Sequence, residues 1–252
     1  MTAKTHIAYH THEAIYVRDT DLVNDLIGKV SFTEMMFFQI TGKRPTPAQV
    51  VLLDAAMVTL MEHGFTPSVI ATRMVYISAP EAMQSAVAAG LLAVGSTFVG
   101  TMELAIKLID EVLSAPEGEH ARAIAIARRY RESKEPLPGF GHHLHKPDDP
   151  RSARLLDLVA QQGMPGHHVR ALRTLSKAID EVYSRHITIN ATGAIAALLG
   201  EIGFPQAVMR GVAVVSRAAG LVGHILEEQR EPAARQLWDT IEHEITYEPQ
   251  KD

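Results

Sequence analysis

Apolar residues recur at helical spacing over most of the chain. Residues 101–113 show it plainly, with Leu104, Ile106, Leu108, Ile109 and Leu113 three to four positions apart or adjacent on one face. Similar runs predict helices over about 47–63, 68–77, 81–94, 122–131, 150–162, 166–183, 194–201, 205–228 and 233–243. Start signals support several of them. Thr46-Pro47-Ala48-Gln49 is a capping box with proline at the first helical position, and Gly64 is placed to stop the helix it opens. Ser78-Ala79-Pro80-Glu81 reads as a second box, opening an Ala/Gly-rich helix expected to pack closely against others. Only Ala14–Arg18 has strand character, and with Ile7 and Tyr9 it suggests a small hairpin or extended arm. The fold class expected is all-α.

One segment breaks the pattern. Residues 135–150, EPLPGFGHHLHKPDDP, hold four prolines, two glycines and three histidines without periodicity. An aperiodic loop of that length inside a helical protein usually carries function.

Composition narrows the chemistry. The chain has 252 residues, a net charge of -5 and no cysteine. Disulfides, thiolate metal sites and a cysteine nucleophile are excluded, and scattered charge argues against nucleic acid as a partner. The first residues lack a continuous apolar core, so no signal peptide is expected. Residues 82–94 and 207–225 are apolar but interrupted, and no membrane association is expected. The expected compartment is the cytoplasm.

Four constellations stand out. In Glu62-His63-Gly64, the histidine follows a helix end, where the dipole favours its cation; the plain alternative is a cap. In Pro138-Gly139-Phe140-Gly141-His142, two glycines let backbone approach a ligand and present N–H groups. His142 then stands ready for acid–base work. His143 and His145 alternate but lack a third ligand at metal-site spacing, so no metal is expected. Asn190-Ala191-Thr192-Gly193 reads locally as a helix start with Thr192 as cap. Arg217, between Val215 and Ala218 in an apolar helix, requires a carboxylate partner. That partner is either a protein side chain or a ligand.

In this order the segments resemble the citrate synthase superfamily. The resemblance runs from about Ala14 to Trp238. It is carried by AIYVRDTDLVNDLIGKVSFTEMMFFQITGKRPTPAQ, EHGFTPSVIATRMVY, AAGLLAVGSTFVGTMELA, PGFGHHLHKPDDPR, NATGAIAALLGEIGFP and SRAAGLVGHILEEQRE. It implies a large helical domain (1–105 and 200–252) and a smaller one (106–199) around a cleft for an acyl-CoA, in a homodimer or dimer-based oligomer. It also implies formation or cleavage of a carbon–carbon bond between an acyl-CoA and a keto acid. Citrate synthases have a GPLHG-like sequence where this chain has Gly95–Gly100. Citryl-CoA lyase modules, including that of ATP-citrate lyase, are similar to this chain in placing phenylalanine there, here Phe98. The short length and the Gly220–Gln229 segment point to the same branch.

By this resemblance His63 and His142 are the catalytic histidines, and Arg151 and Arg217 hold substrate carboxylates, with Phe98 beside the substrate. Gly139, Phe140, Gly141 and Lys146 belong to the coenzyme A site. Thr192 stands where the family has its catalytic aspartate in an NVDG motif. A hydroxyl is no base near neutral pH, and loss of a general acid/base typically costs ~10²–10⁴-fold in rate. Three readings follow: a citryl-CoA lyase in which water or another group moves the proton, different chemistry on a related acyl-CoA such as decarboxylation, or a silent acyl-CoA binder.

Overall fold

The computed structural model describes residues 2–95, 97 and 99–249. The chain is helical apart from a small antiparallel sheet of β1 (Ala8–His10), β2 (Ile15–Val17) and β3 (Thr20–Asp21). Val17 pairs with Thr20 across a two-residue turn in which Arg18 and Asp19 both have positive φ. That backbone matches the twist of a tight hairpin. Arg18 then donates through Nε and Nη2 to the carbonyl of Gln39, tying the hairpin to α1 (Phe32–Thr41). Of the hairpin or extended arm expected from Ala14–Arg18 with Ile7 and Tyr9, the hairpin forms, extended by a third short strand.

The chain forms two compact units. Residues 1–56 with 104–207 make the first, and 57–103 with 208–252 the second. The boundaries fall within α2 (Pro47–Met61) and at the start of α5 (Met102–Leu113).

In the first unit α6 (Glu119–Ser133) packs on α8 (His167–Tyr183). Helix α9 (Ala191–Glu201) packs on both α8 and α7 (Pro150–Gln161). The core is Ile106, Ile109, Ile126, Leu172, Leu175, Ile179, Ile195 and Leu198, all almost fully buried. Each such side chain contributes roughly 1.5–3 kcal/mol. The Thr46–Gln49 capping box forms as expected, with Thr46 N donating to Gln49 Oε1 at 2.8 Å. Ser31 and Glu34 make a further box at the start of α1.

In the second unit α10 (Met209–Arg230) packs on α3 (Pro67–Ser78) and α4 (Met83–Leu92), and α11 (Ala234–Glu244) on α3. Small residues permit this. A Cβ on Gly90 would lie 2.0 Å from Thr72 Oγ1, and one on Gly220 would lie 2.2 Å from the Met61 carbonyl. The expected box at Ser78 does not form. Ser78 ends α3 and its hydroxyl donates back to the Met74 carbonyl, while Ala82 caps α4 without a side-chain bond. Proline at 80 blocks a continuous helix but does not by itself make Ser78 a start signal. Helix α4 is buried only along the Ala86–Gly90 face, and Leu92 is exposed.

Residues 206–230 are long and apolar enough to cross a membrane by length and composition. Here that helix packs within its unit through Met209, Val212, Ala213, Leu221 and Ile225, and it buries the charged Arg217 and Glu228.

Candidate active site

The predicted loop spans residues 134–149 and leads into α7 at Pro150. It docks on the strand-like segment before α9. Gly141 N donates to the Thr188 carbonyl at 2.8 Å, Asn190 N donates to the Gly139 carbonyl at 3.0 Å, and Phe140 bridges Ile189. The expected exposed N–H groups are therefore engaged inside the protein, since Phe140 N donates to the Leu137 carbonyl as well.

The glycines serve close approach instead. Gly139 has φ +85°, and a Cβ on Gly193 would sit 2.3 Å from the Gly139 carbonyl oxygen. Neither backbone can yield without breaking the Asn190–Gly139 bond. Gly193→Ala is expected to lower stability by about 1–3 kcal/mol, read as a lower thermal midpoint with helix content retained.

Asn190, not Thr192, caps α9. Its Oδ1 accepts from Thr192 N and Gly193 N, both at 3.1 Å, and from Thr192 Oγ1 at 2.7 Å. Its amide nitrogen donates to the Gly141 carbonyl at 3.0 Å. One side chain thus satisfies two of the first donors of α9 and holds the loop. Asparagine is a preferred cap because its short side chain reaches back to those N–H groups. Thr192 Oγ1 directs its proton at Asn190 and presents no carboxylate.

His142 is held by its own loop. Nδ1 accepts the backbone N–H of Leu144 and of His145, each at 3.1 Å. A neutral imidazole carries one proton, so that proton sits on Nε2. Arg151 Nη2 approaches Nε2 at 3.4 Å. Two donors facing each other make no hydrogen bond, and their charges oppose a second proton. The rings of His143 and His145 stack on His142, with centroids 4.7 and 4.4 Å away. Burial first, then His145 and Arg151, hold the His142 pKa below the ordinary histidine value. It is a neutral donor at pH 7.

Arg151 is fixed by Asp149, the residue that caps α7. Asp149 is 1 % exposed. Its Oδ1 accepts from Arg151 Nε at 3.0 Å and its Oδ2 from Nη2 at 2.8 Å and from Ala191 N at 3.2 Å. Burial works against the carboxylate, but the hydrogen bonds and charge of Arg151 outweigh it and hold the pKa below the usual range. Asp149 is saturated with donors and is not a base in waiting. Beside it, His186 bridges Asp180 and Asp148 at 2.7 and 3.0 Å. Hydrogen bonds to those two carboxylates raise its pKa. Lys146 is exposed on the same loop.

The remaining predicted residues belong to the second unit. His63 lies past the end of α2 in a turn at Gly64, whose φ is +71°. Arg217 is 2 % exposed, and its Nε and Nη1 have no hydrogen-bond partner among the described residues. Burial lowers its pKa, and only the charge of Glu62 opposes that. A buried guanidinium with unused donors is costly unless a ligand completes it. Of the two partners the sequence allowed, the described residues supply no carboxylate bonded to those nitrogens. Phe98 lies outside the described residues.

Comparison with known proteins identifies the family. The family model "Citrate synthase, C-terminal domain" matches residues 2–238. Citryl-CoA lyase from Hydrogenobacter thermophilus superposes with a TM-score of 0.89 at 31% identity, covering 100% of this chain and 96% of that one. ATP citrate lyase from Methanosaeta concilii, in complex with (3S)-citryl-CoA, gives 0.79 at 16% identity, covering 100% of this chain and 42% of that one. Citrate synthase from Deinococcus radiodurans is 26% identical over 197 residues, 75% of this chain and 50% of that protein. The chain spans about half the length of the curated relatives it matches. With the family model covering nearly its whole length and the loop–histidine–arginine framework in place, the chain belongs to the citrate synthase family.

Proposed function

We propose that the protein cleaves citryl-CoA, or a closely related hydroxy-acyl-CoA, to an acyl-CoA and a keto acid. The observation that carries this reading is His142, a neutral imidazole whose tautomer is set by two backbone amides so that its proton sits on Nε2, the nitrogen beside Arg151. Likeness to the Hydrogenobacter thermophilus citryl-CoA lyase over almost the full length of both chains supports it.

In such a cleavage the bond between the carbinol carbon and the carbon next to the thioester breaks. Its electron pair passes into the thioester as an enolate, the hydroxyl becomes a ketone, and the hydroxyl proton finally returns to carbon. His142 Nε2–H donates to the oxygen that becomes the ketone. Arg217, with unused buried donors, and Arg151, oriented by Asp149, hold substrate carboxylates. His63 stabilises the enolate oxygen. Gly139, Phe140 and Gly141 shape the coenzyme floor, and exposed Lys146 attracts its phosphates. The assembly is a homodimer in the cytoplasm.

Thr192 sets this reaction apart. In cleavage the enolate carbon must gain a proton and the Thr192 hydroxyl is no ready acid, so water or a neighbouring imidazole carries the proton from the substrate hydroxyl to that carbon. Loss of carbon dioxide would instead generate the enolate without abstracting a proton from carbon, the carbon then taking its proton from water, and Thr192 is the observation that favours this second reading. Thr192→Asp places a carboxylate at the positive end of α9. It is expected to raise exchange of the acetyl-CoA methyl protons with solvent deuterium by about 10-fold or more. Unchanged exchange would mean that the pocket is built for a different acyl-CoA.

The test of function is incubation of purified protein with citryl-CoA, followed by mass spectrometry. Acetyl-CoA and oxaloacetate are the expected products. Binding without turnover would replace the lyase reading with that of a silent acyl-CoA binder.

A further inference from the structure

A chain of charged side chains in the second unit ends on the backbone of His63. Arg73 is 0 % exposed. Its Nη1 donates to Glu228 Oε2 at 2.6 Å, and its Nη2 pairs with Glu227. Nε and Nη2 also reach His224 Nδ1 at 3.2 and 2.8 Å. A guanidinium only donates, so His224 Nδ1 is an acceptor and its proton sits on Nε2. That Nε2 lies 2.8 Å from Glu62 Oε2. The other oxygen of Glu62, Oε1, accepts from His63 N and Gly64 N, both at 2.8 Å. Phe65 closes the assembly, with the Arg73 guanidinium 5.0 Å from its ring centroid and the His224 ring 6.2 Å away, edge to face.

The two ends of this chain have different needs. Glu227 and Glu228 already balance the charge of Arg73. Glu62 is not required for that balance, yet it is held by His224 and grips the turn that carries His63. It is also the charge that acts on Arg217. Backbone around a reacting group is commonly fixed this way, by a partner one step removed whose loss misplaces that group.

We propose that His224 and Glu62 are positioning residues for His63, with Arg73 setting the tautomer of His224 and His224 setting the orientation of the Glu62 carboxylate. The inference rests on the lyase reading for its effect on rate, and on geometry alone for its effect on the turn.

The experiment uses the full chain with His224→Leu and His224→Gln. Steady-state cleavage of citryl-CoA is measured beside ¹⁵N NMR of the His63 and Gly64 amides. His224→Leu is expected to lower kcat by about 10²-fold with KM changed by less than about 2-fold, the signature of a misplaced group rather than a lost contact. The two amide resonances shift as their hydrogen bonds to Glu62 loosen. Glutamine can accept from Arg73 and donate to Glu62, so His224→Gln is expected to recover kcat to within about 5-fold of the parent. A folded His224→Leu variant with parental kcat and unmoved amides overturns the proposal. If His224→Leu does not fold, Glu62→Gln, which keeps one acceptor but drops the charge, is read by the same two measurements against the same criteria. If the parent cleaves no citryl-CoA, the lyase reading falls, and the amides alone decide the positioning claim.

Discussion

His142→Ala is expected to lower turnover of citryl-CoA by about 10²–10⁴-fold while coenzyme A still binds. The imidazole tautomer is fixed by its Nδ1 hydrogen bonds, and the Leu144 and His145 amides would lose that acceptor. Their loss is local, because the anchors at Gly141 and Asn190 are untouched. A pH profile gives an independent check. Burial and the neighbouring His145 and Arg151 depress the His142 pKa, so the neutral donor persists below the range where an ordinary histidine protonates. The rate controlled by this group is expected to fall on the acid side with a midpoint below about 6.5. A midpoint above that value would show that the active form is the imidazolium.

Arg217→Met is expected to separate stability from function. The guanidinium is buried with Nε and Nη1 unpartnered among the described residues, so a desolvated charge is carried there. Replacing buried charge by an apolar side chain of similar volume is often neutral or stabilising by about 1–4 kcal/mol. The variant should therefore melt at the parental temperature or above. Cleavage should nevertheless fall by about 10²-fold or more, because an unpaired substrate carboxylate would be left in a poorly solvated pocket. A variant that loses stability as well would mean that Arg217 is a structural residue whose partner is the protein itself. Calorimetry and a citryl-CoA assay on one preparation decide between the two.

Helical periodicity made most of the fold legible. Caps such as Thr46–Gln49 worked because side chain and backbone satisfy each other locally. Ser78 misled because the same residue type can close a helix by bonding back one turn. At α9 the first apolar residues suggested a start near Ala194, yet the helix begins at Ala191. Asn190 was the better cap, and only its tie to Gly141 reveals why. The loop histidine and the lone Arg217 were visible as misfits to their surroundings. The roles of His224 and Arg73 were not, because they depend on partners far away in sequence, and that of Asp149 was not, because its burial follows from the docking of the loop. Arg73 and Glu228 are 155 positions apart. The amides of Phe140 and Gly141 looked available because glycine permits exposure, but pairing with residues 188–190 consumes Gly141.

The docking of loop 134–149 has a consequence for affinity. Gly141 and Asp149 both bond Thr188, Asp149 bonds Ala191, and Asp148 shares His186 with Asp180. A free loop of this length would have to surrender its conformational freedom when a ligand arrived, and binding would be weaker by that amount. Here the surrender has already taken place during folding, at the expense of the protein's own stability. Under the proposed function, a coenzyme would meet a floor that does not have to be built, and more of its contact energy would remain for straining the bond that is to break.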